Sequence, residues 1–476
     1  MKKIILIILI LSLASSLFAL KDFRVTGLNE ATYVYKNAVD SLKNYFSDEF
    51  SFRMTYKNFT FGMKFIANLP RYDDYSAMQD LTSQSISYTW DERFLEYRVD
   101  DFSARAGNFE QVFGSGIALR VYRDKDFNID TRLNGFSAEI FPQSFQMKAL
   151  YGALPNEDND TKNDLVAGLD VQKDIFDPLK LGASFVNVRE WQAGDNYLDR
   201  KIFGARTDLN ASLFDLRAEY GYLDQSEGIS KTGHAFYGNL NTYFNAISFT
   251  VAYNNYLNFD SRLNDVPILN HSNEAMYDSP IGKDQQGVMG EVMFIPDDFN
   301  ELVLNYSEEW NDAWTIRQSD LWMEAIHYFD TSILSVSFSH LERKDEETNR
   351  WEKEVTPTLM YDFMIGETPL SIKVEYQYYD KHYQQEKTHH GEPLLQIDTN
   401  IFEIDCSVIA EYSYEKMKDI GKNPLWLGAE ISKEIFENTT MRLFVGKEKG
   451  GKVCRNGICK YRNQFEGLRL ELITAF

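Results

Sequence analysis

Charged side chains are densest between Asp100 and Arg132, where Arg105, Arg120, Arg123 and Arg132 alternate with Glu110, Asp124, Asp126 and Asp130. Gly114-Ser115-Gly116 interrupts the strand pattern among them and permits a positive-φ turn or a close backbone approach. Mixed charge of this kind cannot face lipid. Folded into the lumen of a barrel, opposed charges would set a transverse field that filters solutes, which makes these eight residues candidates for a lumen constriction. The same side chains could instead brace neighbouring strands as ion pairs. The segment holds no dinucleotide-binding fingerprint.

Other chemistry is poorly supported, and no enzyme is expected. His234, His271, His327, His340, His382, His389 and His390 fall mostly in or beside expected loops, and the adjacent pair His389-His390 lacks metal-ligand spacing. Ser339 and His340 are sequence neighbours, so on a strand they point to opposite faces and form no dyad. Asn156-Glu157-Asp158-Asn159-Asp160 is rich in oxygen ligands but lacks the glycine and terminal glutamate of an EF-hand, and reads as an acidic loop. No metal or cofactor is expected. Cys454 and Cys459 flank Arg455-Asn456-Gly457-Ile458; an Asn-Gly type I′ turn sets the two cysteines opposite each other at a non-hydrogen-bonded pair, a spacing compatible with a disulfide in an exported protein.

The elements that must position these residues are strands. Ile247–Tyr253, Leu334–Ser339, Ile372–Tyr378, Phe59–Phe65 and Met441–Val445 alternate apolar and polar side chains, and the apolar spacing of an amphipathic helix is missing from them. The final segment, Leu468 to Phe476, keeps the same phase: its even-numbered apolar side chains face one way, while Arg469 and Glu471 look into an interior. A terminal aromatic strand is the expected recognition point for barrel-assembly machinery, with Phe476 as its last residue. Tyrosines and phenylalanines at strand ends, such as Tyr151, Tyr220, Tyr253 and Tyr412, suit the two membrane interfaces.

At the other end, Lys2 and Lys3 precede an apolar run from Ile4 to Leu13 and small residues up to Ala19, the layout of a secretory signal peptide. Cleavage is expected after Ala19, with Ser16 as an alternative, and a retained signal anchor as the competing reading. Residues 20–476 then read as one domain, since no Ser/Pro/Gly-rich linker divides them. The chain has 72 acidic and 49 basic residues, and loss of Lys2 and Lys3 takes its net charge from −23 to −25. Such acidity excludes a nucleic-acid partner and favours cations over anions in any aqueous lumen. Little sequence separates the expected cleavage site from Tyr33–Tyr35, which argues against the folded plug of a TonB-dependent receptor.

Tight turns are expected near Pro142-Gln143-Ser144, Asp177-Pro178, Asn245, Pro296-Asp297-Asp298 and Asp330-Thr331. Longer external loops are expected near 153–164, 190–201, 223–234, 256–285, 310–319, 341–352 and 380–399. The fold class is all-β, a large antiparallel transmembrane β-barrel of roughly 18–24 strands. The up-down parity fails around 100–135 and 413–440.

GNFEQVFGSG at 107–116, continued by IALRVYRDKDFNID to Leu133-Asn134-Gly135, resembles the central signature of an uncharacterised family of bacterial outer-membrane barrels. GGKVCRNGICKYR at 450–462, followed by FEGLRLELITAF, is similar to the same family's ending. The resemblance implies fold and outer-membrane location, and offers no functional residues to transfer. The expected partners are outer-membrane lipid and lipopolysaccharide, the assembly machinery and small solutes. A porin-like, cation-preferring channel is the leading expectation. A plugged barrel serving as a surface attachment or assembly platform is the alternative, and an exported soluble β-protein a third.

Overall fold

Period-two alternation governs the wall of the molecule. On the strand Ile247–Leu257, Phe249, Val251 and Tyr253 lie on the outside while Ala252 and Asn254 are fully buried inside. Repeated from strand to strand, this produces an apolar exterior and a polar interior, the arrangement a barrel needs in lipid. The computed structural model describes residues 22–37, 44–69, 87–124, 129–156, 162–192, 196–226, 231–277, 281–384, 386–414, 424–455, 458–462 and 464–476. The expected signal peptide, residues 1–19, and Asp126 lie outside them.

The main sheet has 24 strands. It begins with β1 (Phe23–Lys36), β2 (Asn44–Tyr56), β3 (Phe59–Leu69), β4 (Ser87–Val99) and β5 (Phe102–Phe109). The chain then leaves the wall and rejoins it at Leu133–Ile140, which pairs directly with β5. Antiparallel neighbours follow in sequence order as far as Thr439–Glu448. A separate hairpin, Gly451–Arg455 with Ile458–Arg462, precedes the final strand Phe465–Ala475. That strand pairs with β1 from Leu28↔Ala475 to Lys36↔Gly467 and closes the barrel.

Closure is reinforced on both faces. Outside, the Phe476 ring stacks on Phe50 and covers Gly27, where a side chain would strike it, while Gly27 and Phe476 exchange backbone hydrogen bonds of 2.8 and 3.0 Å. Inside, Arg469 and Glu471 are buried, as their phase in the sequence requires. Arg469 reaches Glu448 at 3.1 Å and Glu471 at 3.3 Å, and Arg442 reaches Glu471 at 3.1 Å and Glu430 at 3.6 Å. Phe444 and Phe465 lie against the Arg469 guanidinium and screen this network from water.

Both termini of the barrel and the tight turns share one end. Asn245 has φ of 53°, and Phe402-Glu403 forms a two-residue turn with φ of 54° and 63°, the type I′ geometry that matches strand twist. At the opposite end the strands run further than their sequence suggests. Thr368–Tyr383 and Glu386–Ile401 meet near Gln384, so most of 380–399 is strand and not an open loop. The same correction applies to much of 190–201, 223–234, 310–319 and 341–352. Parity fails at 100–135 because the chain there leaves the wall, and the stretch 413–440 includes 415–423, which lie outside the described residues. The hairpin register sets Cys454 opposite Cys459, but their side chains lie outside the described residues.

Candidate functional site: the inward segments of the lumen

Among the described residues, two connections fold into the lumen. The first starts where Phe109 and Leu133, register partners and both fully buried, leave the wall. Gln111–Phe113 pairs with Leu119–Val121 around the turn Gly114-Ser115-Gly116, in which both glycines have positive φ. Phe113, Ile117, Leu119 and Val121 then pack on inward-facing wall residues such as Val166, Val186 and Ile202 in one apolar core. Full burial of each such side chain contributes roughly 1.5–3 kcal/mol, so the segment is a fixed part of the lumen.

Residues 258–277 and 281–283, within the stretch 256–285 expected as an external loop, form the second inward segment. Phe259, Leu263 and Val266 enter the same apolar core. The two segments bind each other: Arg120 N–H donates to Leu263 O at 2.8 Å, Asp265 N–H to Gly116 O at 3.1 Å, and the Arg120 guanidinium pairs with Asp265 at 2.6 Å.

Wall carboxylates hold both segments through their backbone and side-chain donors. Ser115 N–H donates to Glu219 at 2.7 Å, and Gly114 presses so close that a Cβ there would lie 2.4 Å from that carboxylate. Asn270 Nδ2 donates to Glu309 at 2.9 Å, Ser272 N–H to Asp320 at 2.7 Å and the Tyr277 hydroxyl to Glu352 at 2.7 Å. These bonds offset part of the cost of burying the carboxylates, although Glu219 and Asp320 each keep one buried oxygen without a hydrogen-bond partner among the described residues.

The eight sequence candidates divide. Arg105 stays on β5, bonded to Glu92 at 2.7 Å and resting on the Phe94 ring. Glu110 is exposed at the exit from the wall. Arg120 joins the two segments. Arg123 and Arg132 converge on Asp91 of β4, Arg132 at 3.3 Å, and Arg132 also holds Asp130 at 2.6 Å. Asp124 pairs through its backbone with Ile129. The charges therefore brace the segment against the wall.

Burial alone would raise the Asp130 carboxyl pKa, but the hydrogen bonds and charge of Arg132 outweigh it and hold the group below the ordinary aspartate range. A carboxylate with a depressed folded pKa contributes stability above its unfolded value, and that contribution is lost as pH falls through the folded one. The Asp130–Arg132 pair is accordingly expected to hold from neutrality to about pH 4 and to release only in stronger acid, followed through the Asp130 carboxyl resonance in a pH series. A midpoint near pH 6 for that carboxyl would contradict this assignment.

Sequence reasoning missed Asp91, Glu219, Asp265, Glu309, Asp320 and Glu352. Except for Asp265, these lie on wall strands, and an acid in the inward phase of an alternating strand was the available signal. His390 is also not the solvated loop histidine expected: it is buried, stacked on Tyr379 and 3.6 Å from Glu392. Among the described residues no cluster of metal-ligating side chains forms.

No curated protein matches the chain. Among solved structures, a chain of the E. coli P pilus tip assembly intermediate PapC-PapD-PapK-PapG is similar over 95% of this chain and 60% of its own length, at 10% identity and a TM-score of 0.59. The protein thus spans about three-fifths of that chain, and the likeness is one of fold. The P pilus usher (PapC) translocation pore matches over 95% of this chain and 98% of its own, at 10% identity and a TM-score of 0.48. The outer membrane transporter YddB from Escherichia coli matches over 96% and 81%, at 9% identity and a TM-score of 0.47. Residues 1–279 match a family description, and with more than half of its length covered the chain belongs to the family of unknown function DUF6029.

Proposed function

We propose that this outer-membrane-type barrel is a constricted channel for small solutes, with a modest preference for cations. The observation that carries the proposal is the pair of inward segments, joined at Arg120–Asp265 and pinned to wall carboxylates, which narrow the bore without being separate domains. On the side of the barrel away from their apolar core, the inner wall carries Glu354, Glu375, Glu392 and Glu411, facing Lys373 and Lys449. Burial works against the Lys449 charge, but Glu392 and Glu411 raise its pKa and keep it protonated. The acids there exceed the bases, which favours cations.

Export through a cleaved signal peptide at residues 1–19, recognition of the Phe476 strand by assembly machinery, and a Cys454–Cys459 disulfide complete the proposal. No catalytic step is assigned. In a salt gradient across a planar bilayer, the reversal potential of the purified barrel is expected to take the sign of cation preference; an anion-selective reversal potential would refute the charge argument. The dry apolar core beneath the inward segments favours a second reading, a permanently plugged attachment platform, and this one predicts a folded barrel that conducts no current.

A further inference from the structure

We propose that the tight-turn end of the lumen holds a binding site for a neutral, polyhydroxylated solute such as a short sugar; this rests on the channel function above and names its solute class. Below the constriction lies a cavity of about 760 Å³, within the range of roughly 300–1,000 Å³ usual for small-molecule sites. Its roof is built from both inward segments, by Gly114 and Ser115 from one and Pro267 from the other. A solute entering from the tight-turn end therefore meets this cavity before the two inward segments.

The wall of the cavity is rich in side-chain amides: Gln172, Asn210, Asn239 and Asn241. An amide carries a donor and an acceptor side by side, the pattern that adjacent hydroxyls of a sugar satisfy, although Asn241 Oδ1 already accepts from Thr250 and Asn239, and Gln172 Oε1 from Arg206. Asn239 and Asn241 project from alternate positions of one strand, and Asn241 is oriented by the Thr250 hydroxyl at 2.9 Å. Tyr237, packed against the apolar core, adds an amphipathic ring to the same strand face.

The charged lining is already engaged. Arg217 Nε stands 3.3 Å from Asp208, Lys180 Nζ 3.5 Å from Asp174, and Asp215 accepts from the Tyr243 hydroxyl at 3.0 Å. Lys180 and Arg217 against Asp208 and Asp215 leave the cavity without net charge. An anionic solute would have to compete with Asp208 for Arg217, and a cation would have to compete with Arg217 for Asp208. A neutral ligand breaks neither pair, and it meets amides that are only partly engaged: Asn239 Nδ2 donates to Asn241 Oδ1 at 3.4 Å and Arg206 donates to Gln172 Oε1 at 3.1 Å, while amide N–H donors remain for the solute.

The test uses the full-length mature barrel, folded in detergent, with maltotriose as the neutral probe and glucose 6-phosphate as the anionic comparator. Titration calorimetry is expected to show saturable maltotriose binding at least tenfold tighter than that of the phosphate ester. The double variant Asn239→Ala/Asn241→Ala should weaken it about tenfold, the loss of one to two net hydrogen bonds. Gln172→Leu, on a different strand, should do the same and covers the case in which the double variant fails to fold. Absence of saturable binding to the folded protein, equal affinity for the phosphate ester, or unchanged affinity in a folded variant would overturn the proposal. The bilayer separates the two readings: conductance without sugar binding removes the sugar site alone, whereas sugar binding by a barrel that never conducts supports the site and removes the channel.

Discussion

Excision of residues 111–131, with Glu110 and Arg132 joined by a short Gly-Ser turn, is expected to raise unitary conductance several-fold while leaving the barrel folded. The wall does not need the segment, because Phe109 and Leu133 are already partners and the ladder from β5 to Leu133–Ile140 continues beneath them. What is lost lies inside the bore: Phe113, Ile117, Leu119 and Val121 leave the apolar core, and the second segment loses its bonds to Gly116 and Arg120. Glu219 is freed from Ser115 and turns from an anchor into a solvated lumen charge. The deletion should therefore increase cation preference together with conductance. Unchanged conductance in a folded, inserted variant would mean that the segment does not limit flow.

The second large effect is expected at the closing seam. Arg469→Met leaves Glu430, Glu448 and Glu471 facing one another at side-chain exposures of 6%, 2% and 8%. Removing one partner from a buried ion network costs on the order of 3–5 kcal/mol, because the remaining charge stays buried and uncompensated. Arg442 cannot replace it, since it is already engaged with Glu430 and Glu471. The temperature at which the barrel loses its compact mobility in detergent gels should fall markedly in Arg469→Met and recover in Arg469→Met/Glu448→Leu, where charge and countercharge leave together. Equal temperatures for the wild type and Arg469→Met would show that the network does not hold the seam.

Some of this architecture was open to sequence reasoning, and the reason is local. Alternation in Ile247–Tyr253 or Leu468–Phe476 depends only on which side of a strand meets lipid, and the inward placement of Arg469 and Glu471 followed from that phase alone. The charges of the 100–132 segment could be read as unfit for lipid, but whether they enter the lumen or brace neighbouring strands was left open by their sequence, and Phe102–Phe109 is itself a wall strand. The fate of 258–277 depends instead on Glu309, Asp320 and Glu352, far along the chain, whose carboxylates become anchors only once the barrel brings them opposite Asn270, Ser272 and Tyr277. Strand ends were hidden for a different reason. Segments such as Arg343-Lys344-Asp345 continue the ladder past the apolar belt, where polar side chains are tolerated on both faces and the alternation that marks a strand disappears.

The central claim is that inward segments narrow, but do not seal, a 24-stranded bore. Single-channel recording of the purified, folded wild-type protein in a planar bilayer tests it most directly. The account predicts reproducible small steps, well below those of the 111–131 excision variant under the same salt. Silence from protein shown to be inserted, or wild-type steps as large as those of the excision variant, would contradict it.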